Sequence, residues 1–133
     1  MIYVLDASAI IAWLRNELGA DVVDNAICDL NSQCLVHAVN LCEVYYDAYR
    51  RSGASGAEAV VGDLAAVGVV ERGDLDQAFW KEAGKLKAGG GISLADCFAI
   101  TLTNRLGGTL MASDHGEMDP IAAAGICSIT FIR

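Results

Sequence analysis

The sequence predicts an α/β protein, with a central parallel or mostly parallel β-sheet of about five strands flanked by helices. Two observations support this class. Short apolar, β-rich runs alternate with stretches of helical spacing along the whole chain, as in parallel sheets covered on both faces. The length of 133 residues suits one domain and is too short for two. With no internal repeat, low-complexity segment or linker, residues 1–133 are treated as a single domain.

The predicted elements alternate in a regular order. Strands are predicted at residues 2–5, 34–36, 68–72, 109–112 and 126–132. Helices are predicted at residues 9–14, 21–30, 39–50, 57–66, 75–87, 93–105 and 120–124. The stretch at 52–56 contains two glycines and predicts a break between helices, and the triple glycine at 89–91 predicts a flexible loop.

Composition narrows the possible functions. Apolar residues make up 54% of the chain, but charged or polar residues interrupt every apolar stretch before membrane-spanning length. No leader for export is recognisable, and five scattered cysteines suggest neither a disulfide framework nor a zinc site, so a cytoplasmic protein is expected. The net charge of −8 argues against a protein that coats nucleic acid. Any nucleic-acid contact has to be local or mediated by metal.

Four acidic residues are expected to meet at one edge of the sheet. Asp6 and Asp114 each follow a predicted strand, and the carboxyl ends of parallel strands share an edge. Glu43 and Asp96 lie early in helices that begin at that edge. Carboxylates packed together repel unless cations neutralise them, and Mg²⁺ or Mn²⁺ prefers such oxygen ligands, whereas zinc favours His or Cys. These ions support phosphate-ester hydrolysis by holding the phosphodiester and activating water.

Each acid also has a structural interpretation. Asp6 suits a helix N-cap, and Glu43 suits a solvated helix face. Ser93 with Asp96, and Asp114 with Glu117, have the spacing of capping boxes. The common placement of all four acids at one edge favours the functional interpretation.

Other polar and aromatic residues carry weaker signals. His37 and His115 lack a partner at ligand spacing, so both are interpreted as structural. Aromatic residues on helices suit the core better than base stacking; they are Trp13, Tyr45, Tyr46, Tyr49 and Trp80. The basic groupings suit either a phosphate backbone or solvated helix faces; they are Arg50, Arg51, Lys81, Lys85, Lys87 and Arg105.

Four motifs, in order and spacing, resemble the successive motifs of PIN domains over nearly the whole chain. They are Val4-Leu5-Asp6-Ala7-Ser8-Ala9, Asn40-Leu41-Cys42-Glu43-Val44, Ser93-Leu94-Ala95-Asp96-Cys97 and Ala112-Ser113-Asp114-His115. The chain is most similar to VapC-type toxins, which are stand-alone PIN domains of about this length. The resemblance implies a PIN-like fold for residues 1–133.

The resemblance also implies roles for individual residues. The catalytic, metal-binding acidic quartet corresponds to Asp6, Glu43, Asp96 and Asp114, with Asp6 and Asp96 as the most secure ligands. Ser8 and Ser113 occupy positions that often carry a hydroxyl, although threonine is common at the second. Ser8 would support Asp6 or a bound water, or would cap the first helix. Glu117 and Asp119 would supply further oxygens around the ligands.

The function implied by the resemblance is that of a Mg²⁺- or Mn²⁺-dependent endoribonuclease, the toxin of a toxin–antitoxin pair, with tRNA or ribosomal RNA as substrate. It further implies a homodimer and an antitoxin that inserts a basic residue among the acids. Two alternatives remain. An aspartate-nucleophile phosphatase would use Asp6 but usually needs a second aspartate where Ser8 stands. A catalytically silent interaction module would be expected to lose at least one of the four acids.

Overall fold

A computed structural model describes the whole chain, residues 1–133. The strands are β1 (Ile2–Leu5), β2 (Gln33–His37), β3 (Val70–Arg72), β4 (Thr109–Ala112) and β5 (Ile129–Phe131). The helices are α1 (Ala7–Leu14), α2 (Ala20–Cys28), α3 (Ala38–Ala66), α4 (Gln77–Ala88), α5 (Leu94–Leu106) and α6 (His115–Ala123). The predicted α/β class is confirmed, with one five-stranded sheet. No helix combines the length and apolar character needed to cross a membrane.

The sheet is parallel throughout, and its strand order is β3-β2-β1-β4-β5. The chain moves outward from β1 in one direction through β2 and β3, and in the other through β4 and β5. The order therefore reverses between β1 and β4, and a crevice opens beyond their carboxyl ends. Asp6 directly follows β1, and Ser113 and Asp114 directly follow β4, so sequence and topology bring these residues to that crevice.

Two apolar cores cover the two faces of the sheet. On one face, α1, α2 and α3 bury side chains such as Ile10, Val23 and Val44. On the other face, α4, α5 and α6 bury side chains such as Phe79 and Met118. Because successive side chains of a strand point to opposite faces of the sheet, β1 contributes side chains to both cores. The heavy burial on both faces explains why the strands read as nearly continuous apolar runs.

The predicted break between helices at residues 52–56 is confirmed and is confined to one residue. The span α3, Ala38–Ala66, consists of two helical segments that meet at a kink at Gly53, which has a non-helical φ of 73° and ψ of −174°. Glycine adopts this left-handed φ without the clash that a Cβ would cause, so a single residue is enough to interrupt the helix. The bend also brings the helix close to itself, since a Cβ on Gly56 would lie 2.5 Å from the Cβ of Ser52.

The last helix and the outer strands also differ from the predicted bounds. Helix α6 begins at His115 and not at residue 120, because Asp114 accepts the backbone N–H of Gly116 and caps the helix there. The strands at the two edges of the sheet, β3 and β5, have three residues each and are shorter than predicted. Edge strands have one neighbour, so fewer hydrogen bonds hold their ends in the sheet.

Candidate metal centre

A cavity of about 230 Å³ opens at the crevice beyond β1 and β4. Its lining is almost entirely polar and comes from four separate segments of the chain. The lining residues are Asp6, Ala7, Ser8, Glu43, Ser93, Asp96, Asp114 and Glu117. All four acids that the sequence predicts to meet therefore line one cavity, together with Ser8 and Glu117.

Asp6 is the most deeply buried of these acids, with 2% of its surface exposed. Its Oδ1 accepts hydrogen bonds from the Ser8 hydroxyl at 2.7 Å and from the Ala9 backbone N–H at 2.8 Å. The second bond makes Asp6 the N-cap of α1, as its structural interpretation predicts. Both bonds use the same oxygen, so Oδ2 takes no part in the capping. Asp6 can cap α1 and still present an oxygen to a ligand.

Ser8 connects the two strands that flank the crevice. Besides donating to Asp6, its Oγ accepts the backbone N–H of Ser113 at 3.1 Å. Ser113 contributes through its backbone, and it does not line the cavity. The hydroxyl of Ser8 thus holds the loop after β4 against the loop after β1.

Asp96 lies in the first turn of α5, where Ser93 is the N-cap. The Ser93 Oγ accepts the N–H of Asp96 at 3.2 Å, which is one half of the predicted capping box. The other half is absent, because the N–H of Ser93 donates to Glu117 Oε2, also at 3.2 Å. Glu117 therefore satisfies the helix end, and the Asp96 carboxylate is left facing the other acids.

Glu43 and Asp114 complete the acidic lining. Glu43 is half-buried on α3, so it is not the solvated helix-face glutamate of its structural interpretation. Asp114 is exposed and caps α6 by accepting the N–H of Gly116 at 2.8 Å. The predicted capping box with Glu117 does not form, since Glu117 turns to Ser93.

The cavity holds its acids under electrostatic strain. Burial raises the pKa of Asp6 to about 6, and the charges of Glu43 and Asp114 act in the same direction. Burial also raises the pKa of Glu43, with help from the charge of Glu117. For Asp96, burial and the hydrogen bond to Glu117 raise the pKa, and that hydrogen bond lowers the pKa of Glu117. The two shifts are in opposite directions, so Asp96 is the member of this pair that is protonated more readily.

Some predicted residues lie away from the cavity. Asp119 does not line it and instead forms a 2.8 Å contact with Nδ1 of His115. His115 contacts the backbone carbonyl of Arg133 through its other ring nitrogen. His37 is buried and caps α3 by accepting the N–H of Val39, while its Nε2 contacts the carbonyl oxygen of Asp74. Both histidines are therefore structural, as the sequence predicts.

Asn40 is a residue near the site to which the sequence analysis gives no role. It is fully buried on α3, one turn before Glu43. Its amide nitrogen donates to the carbonyl oxygen of Ala95, the residue before Asp96, while its Oδ1 is buried without a partner. The signal in the sequence is a strongly polar residue in an apolar helix face, three positions from a candidate ligand.

The residues that line the cavity fit a hard divalent cation. Every side-chain donor among them is a carboxylate or hydroxyl oxygen, which suits Mg²⁺ or Mn²⁺ and does not suit zinc. A buried carboxylate with a raised pKa, such as Asp6, gains from a nearby positive charge. The side chains do not stand in the geometry of a finished metal site. A cation would have to draw the oxygens together, and Oδ2 of Asp114 takes no part in capping α6.

The fold and the cavity define the class of protein: a single α/β domain that presents a carboxylate cluster at the point where the strand order of a parallel sheet reverses. The chain belongs to the PIN domain family, whose model matches residues 3–122. A comparison with curated proteins finds no match.

Solved structures share this fold along their whole length. VapBC-1 from nontypeable Haemophilus influenzae is 18% identical, with a TM-score of 0.72, and the match covers 99% of this chain and 98% of that one. VapBC2 from Rickettsia felis, bound to a DNA fragment from its promoter, is 14% identical, with a TM-score of 0.74 and coverage of 98% of each chain. VapC20 of Mycobacterium tuberculosis, a toxin that cleaves the sarcin–ricin loop, is 15% identical, with a TM-score of 0.67 and coverage of 94% and 95%.

Proposed function

We propose that this chain is a Mg²⁺- or Mn²⁺-dependent endoribonuclease and the toxin of a toxin–antitoxin pair. The observation that carries the proposal is the cavity itself, where Asp6, Glu43, Asp96 and Asp114 meet from four separate segments. Structural acids scattered over the surface would not converge in this way. The pKa values of Asp6 and Asp96 are raised, and no arginine or lysine of the protein is among the groups that shift them. Similarity in fold to VapC20, a toxin that cleaves the sarcin–ricin loop, supports RNA as the substrate class.

The residues of the chain have distinct parts in the proposed reaction. Asp6 and Asp96 hold the cation, Glu43 and Asp114 complete its ligands, and Ser8 orients Asp6 through its 2.7 Å hydrogen bond. When bound, the cation neutralises the cluster, holds the scissile phosphodiester and makes water a stronger nucleophile. Glu117 holds the first turn of α5 in place by accepting the N–H of Ser93, and it also accepts a hydrogen bond from Asp96.

The proposal includes two protein partners. The similar VapBC structures contain a toxin with its antitoxin, which supports an antitoxin for this chain. A basic residue of that antitoxin would find five carboxylates in the cavity and no competing arginine or lysine in its lining. The second partner is another copy of this chain in a homodimer, which light scattering of the purified protein would test.

Cleavage of total tRNA and ribosomal RNA by the purified, antitoxin-free protein tests the enzyme. Reactions are run with Mg²⁺, with Mn²⁺ and with EDTA, beside Asp6→Ala and the surface control Asp21→Ala. Discrete fragments that require metal, disappear with Asp6→Ala and persist with Asp21→Ala would support the proposal. A folded protein that cleaves no RNA under any of these conditions would contradict it.

A further inference from the structure

A second cavity lies between α1 and α3, farther along these helices than the acidic site. It has a volume of about 230 Å³, and Arg15, Asp47 and Arg51 are its charged residues. Arg15 lies seven residues after Ser8 on α1, and Arg51 lies eight residues after Glu43 on α3. Since both helices begin at the carboxyl edge of the sheet and rise 1.5 Å per residue, the arginines lie about 10 Å beyond Ser8 and Glu43 along the helices.

The bend of α3 builds the walls of this second cavity. Beyond Gly53 the helix turns back, so Gly56 and Val60 line the cavity together with Val44 and Ile11. The apolar side chains of this lining are buried or half-buried, whereas Arg51 is exposed. A cavity that combines apolar side chains with cationic groups suits a flexible chain that carries anionic groups.

The charges of this cavity are unusual for this protein. The chain has 17 acidic and 9 basic residues, yet the cavity has two arginines and one aspartate. Four of the six arginines form ion pairs with carboxylates, namely Arg15, Arg72, Arg105 and Arg133. Arg50 stacks on the ring of Tyr46. Arg51 has neither type of partner and is available to an external anion.

We infer that Arg51 and Arg15 bind a backbone phosphate of the RNA strand next to the scissile phosphate. The inference rests on the proposed ribonuclease function and adds a strand-binding site to it. An arginine binds phosphate through two parallel N–H groups, and such a contact fixes the register of the strand without reading its sequence. Asp47 competes with the RNA for Arg15 through their ion pair. A strand held at the second cavity in this way would extend along α1 and α3 toward the acids.

The test is RNA binding by the full chain carrying Asp96→Asn, which prevents cleavage, with a fluorescent single-stranded RNA of mixed sequence in Mg²⁺ buffer. Arg51→Gln is expected to weaken binding about tenfold and to reduce the dependence of log Kd on log salt by about 0.7, the value of one lost phosphate contact to a single strand. Arg50→Gln is the matched control, since it removes the same charge one residue away and outside the cavity. It should change little.

Asp47→Asn provides a change in the opposite direction. It frees Arg15 from its ion pair, so RNA binding should become stronger, an effect that a merely structural role of Asp47 would not produce. Equal binding by Arg51→Gln and Arg50→Gln would overturn the inference and leave the nuclease intact. If Arg51→Gln leaves RNA binding unchanged and weakens the complex with the antitoxin, the cavity binds the protein partner, and this result would also overturn the inference. If the parent protein binds no RNA while the wild type cleaves it, the inference fails and the proposed function stands; if the wild type cleaves no RNA, both fail.

Discussion

The side-chain amide of Asn40 donates a hydrogen bond to the carbonyl oxygen of Ala95, and the nitrogen–oxygen distance is 3.2 Å. Asn40 precedes Glu43 by one turn of α3, and Ala95 directly precedes Asp96 in α5. This hydrogen bond therefore connects the two helices that carry half of the acidic quartet. It helps to hold the helices of Glu43 and Asp96 together.

Asn40→Asp should destabilise the protein more than Asn40→Ala. Alanine removes the hydrogen bond and also the unpaired Oδ1, at a cost of about 1–3 kcal/mol. Aspartate keeps the shape but places an uncompensated charge in the interior, which is more costly. Urea unfolding of both variants at pH 8 and pH 5 measures the difference, which should shrink at the lower pH as the new carboxyl becomes protonated. An aspartate variant as stable as the alanine variant at pH 8 would contradict this role.

The metal-free protein should lose stability as the pH rises. The pKa of Asp6 is raised from 3.8 to about 6, so its contribution is fully present below pH 4 and is lost as the pH rises through 6. At about 1.4 kcal/mol for each pKa unit, the loss from Asp6 is about 3 kcal/mol. The raised pKa values of Glu43 and Asp96 also lower the stability as the pH rises. The lowered pKa of Glu117 has the opposite effect at acid pH, where it increases the stability as the pH rises.

Urea unfolding in EDTA between pH 4 and pH 8 measures this loss. Asp6→Asn should flatten the profile, because asparagine caps a helix as well as aspartate and carries no charge. The exposed change Asp21→Asn should leave the profile as it is. A wild-type profile that rises over this range would show that the acids are not held in the strained arrangement described for the cavity.

Ser8→Ala should weaken the site without unfolding the protein. The substitution removes the 2.7 Å bond to Asp6 and leaves the N–H of Ser113 without its acceptor, at a cost of about 1–2 kcal/mol. Loss of a residue that orients a metal ligand typically lowers metal affinity or activity by about 10- to 100-fold. Mn²⁺ affinity and RNA cleavage are the measurements. Ser8→Thr, which retains the hydroxyl, should restore most of both, and failure to do so would indicate that Ser8 acts only by packing.

Gly53→Ala should destabilise the protein by about 1 kcal/mol, because Gly53 has φ 73° and alanine is strained there. No atom lies within 4 Å of the added methyl group, so the cost is that of the backbone alone. Gly84→Ala is the matched control, since Gly84 lies inside α4, also with open space around it. This control should stabilise the protein by about 0.5–1 kcal/mol. Thermal unfolding that shows the same sign for both variants would contradict the bend.

The fold and the meeting of the acids were predictable from the sequence because both depend on short-range patterns. Alternation of strands and helices fixes a parallel sheet, and the topology then brings residues after β1 and β4 to one edge. The break at residues 52–56 was predictable from its glycines, but its confinement to Gly53 was not, since a glycine-containing stretch does not show how many residues leave the helix. The partner of Glu117 was not predictable either. Glu117 accepts a hydrogen bond from Ser93, 24 residues away in the sequence, and does not pair with Asp114.

Binding of Mn²⁺ to the purified, antitoxin-free chain, measured by isothermal titration calorimetry, tests the acidic cavity most directly. The wild-type protein should bind Mn²⁺ with release of protons, because burial and the hydrogen bond to Glu117 raise the pKa of Asp96 and a cation displaces its proton. Asp96→Asn should abolish binding, Glu117→Gln should weaken it less, and Asp119→Asn should leave it intact, since Asp119 lies outside the cavity with His115. Equal binding by wild type and Asp96→Asn, or no binding by the folded wild type, would contradict the account.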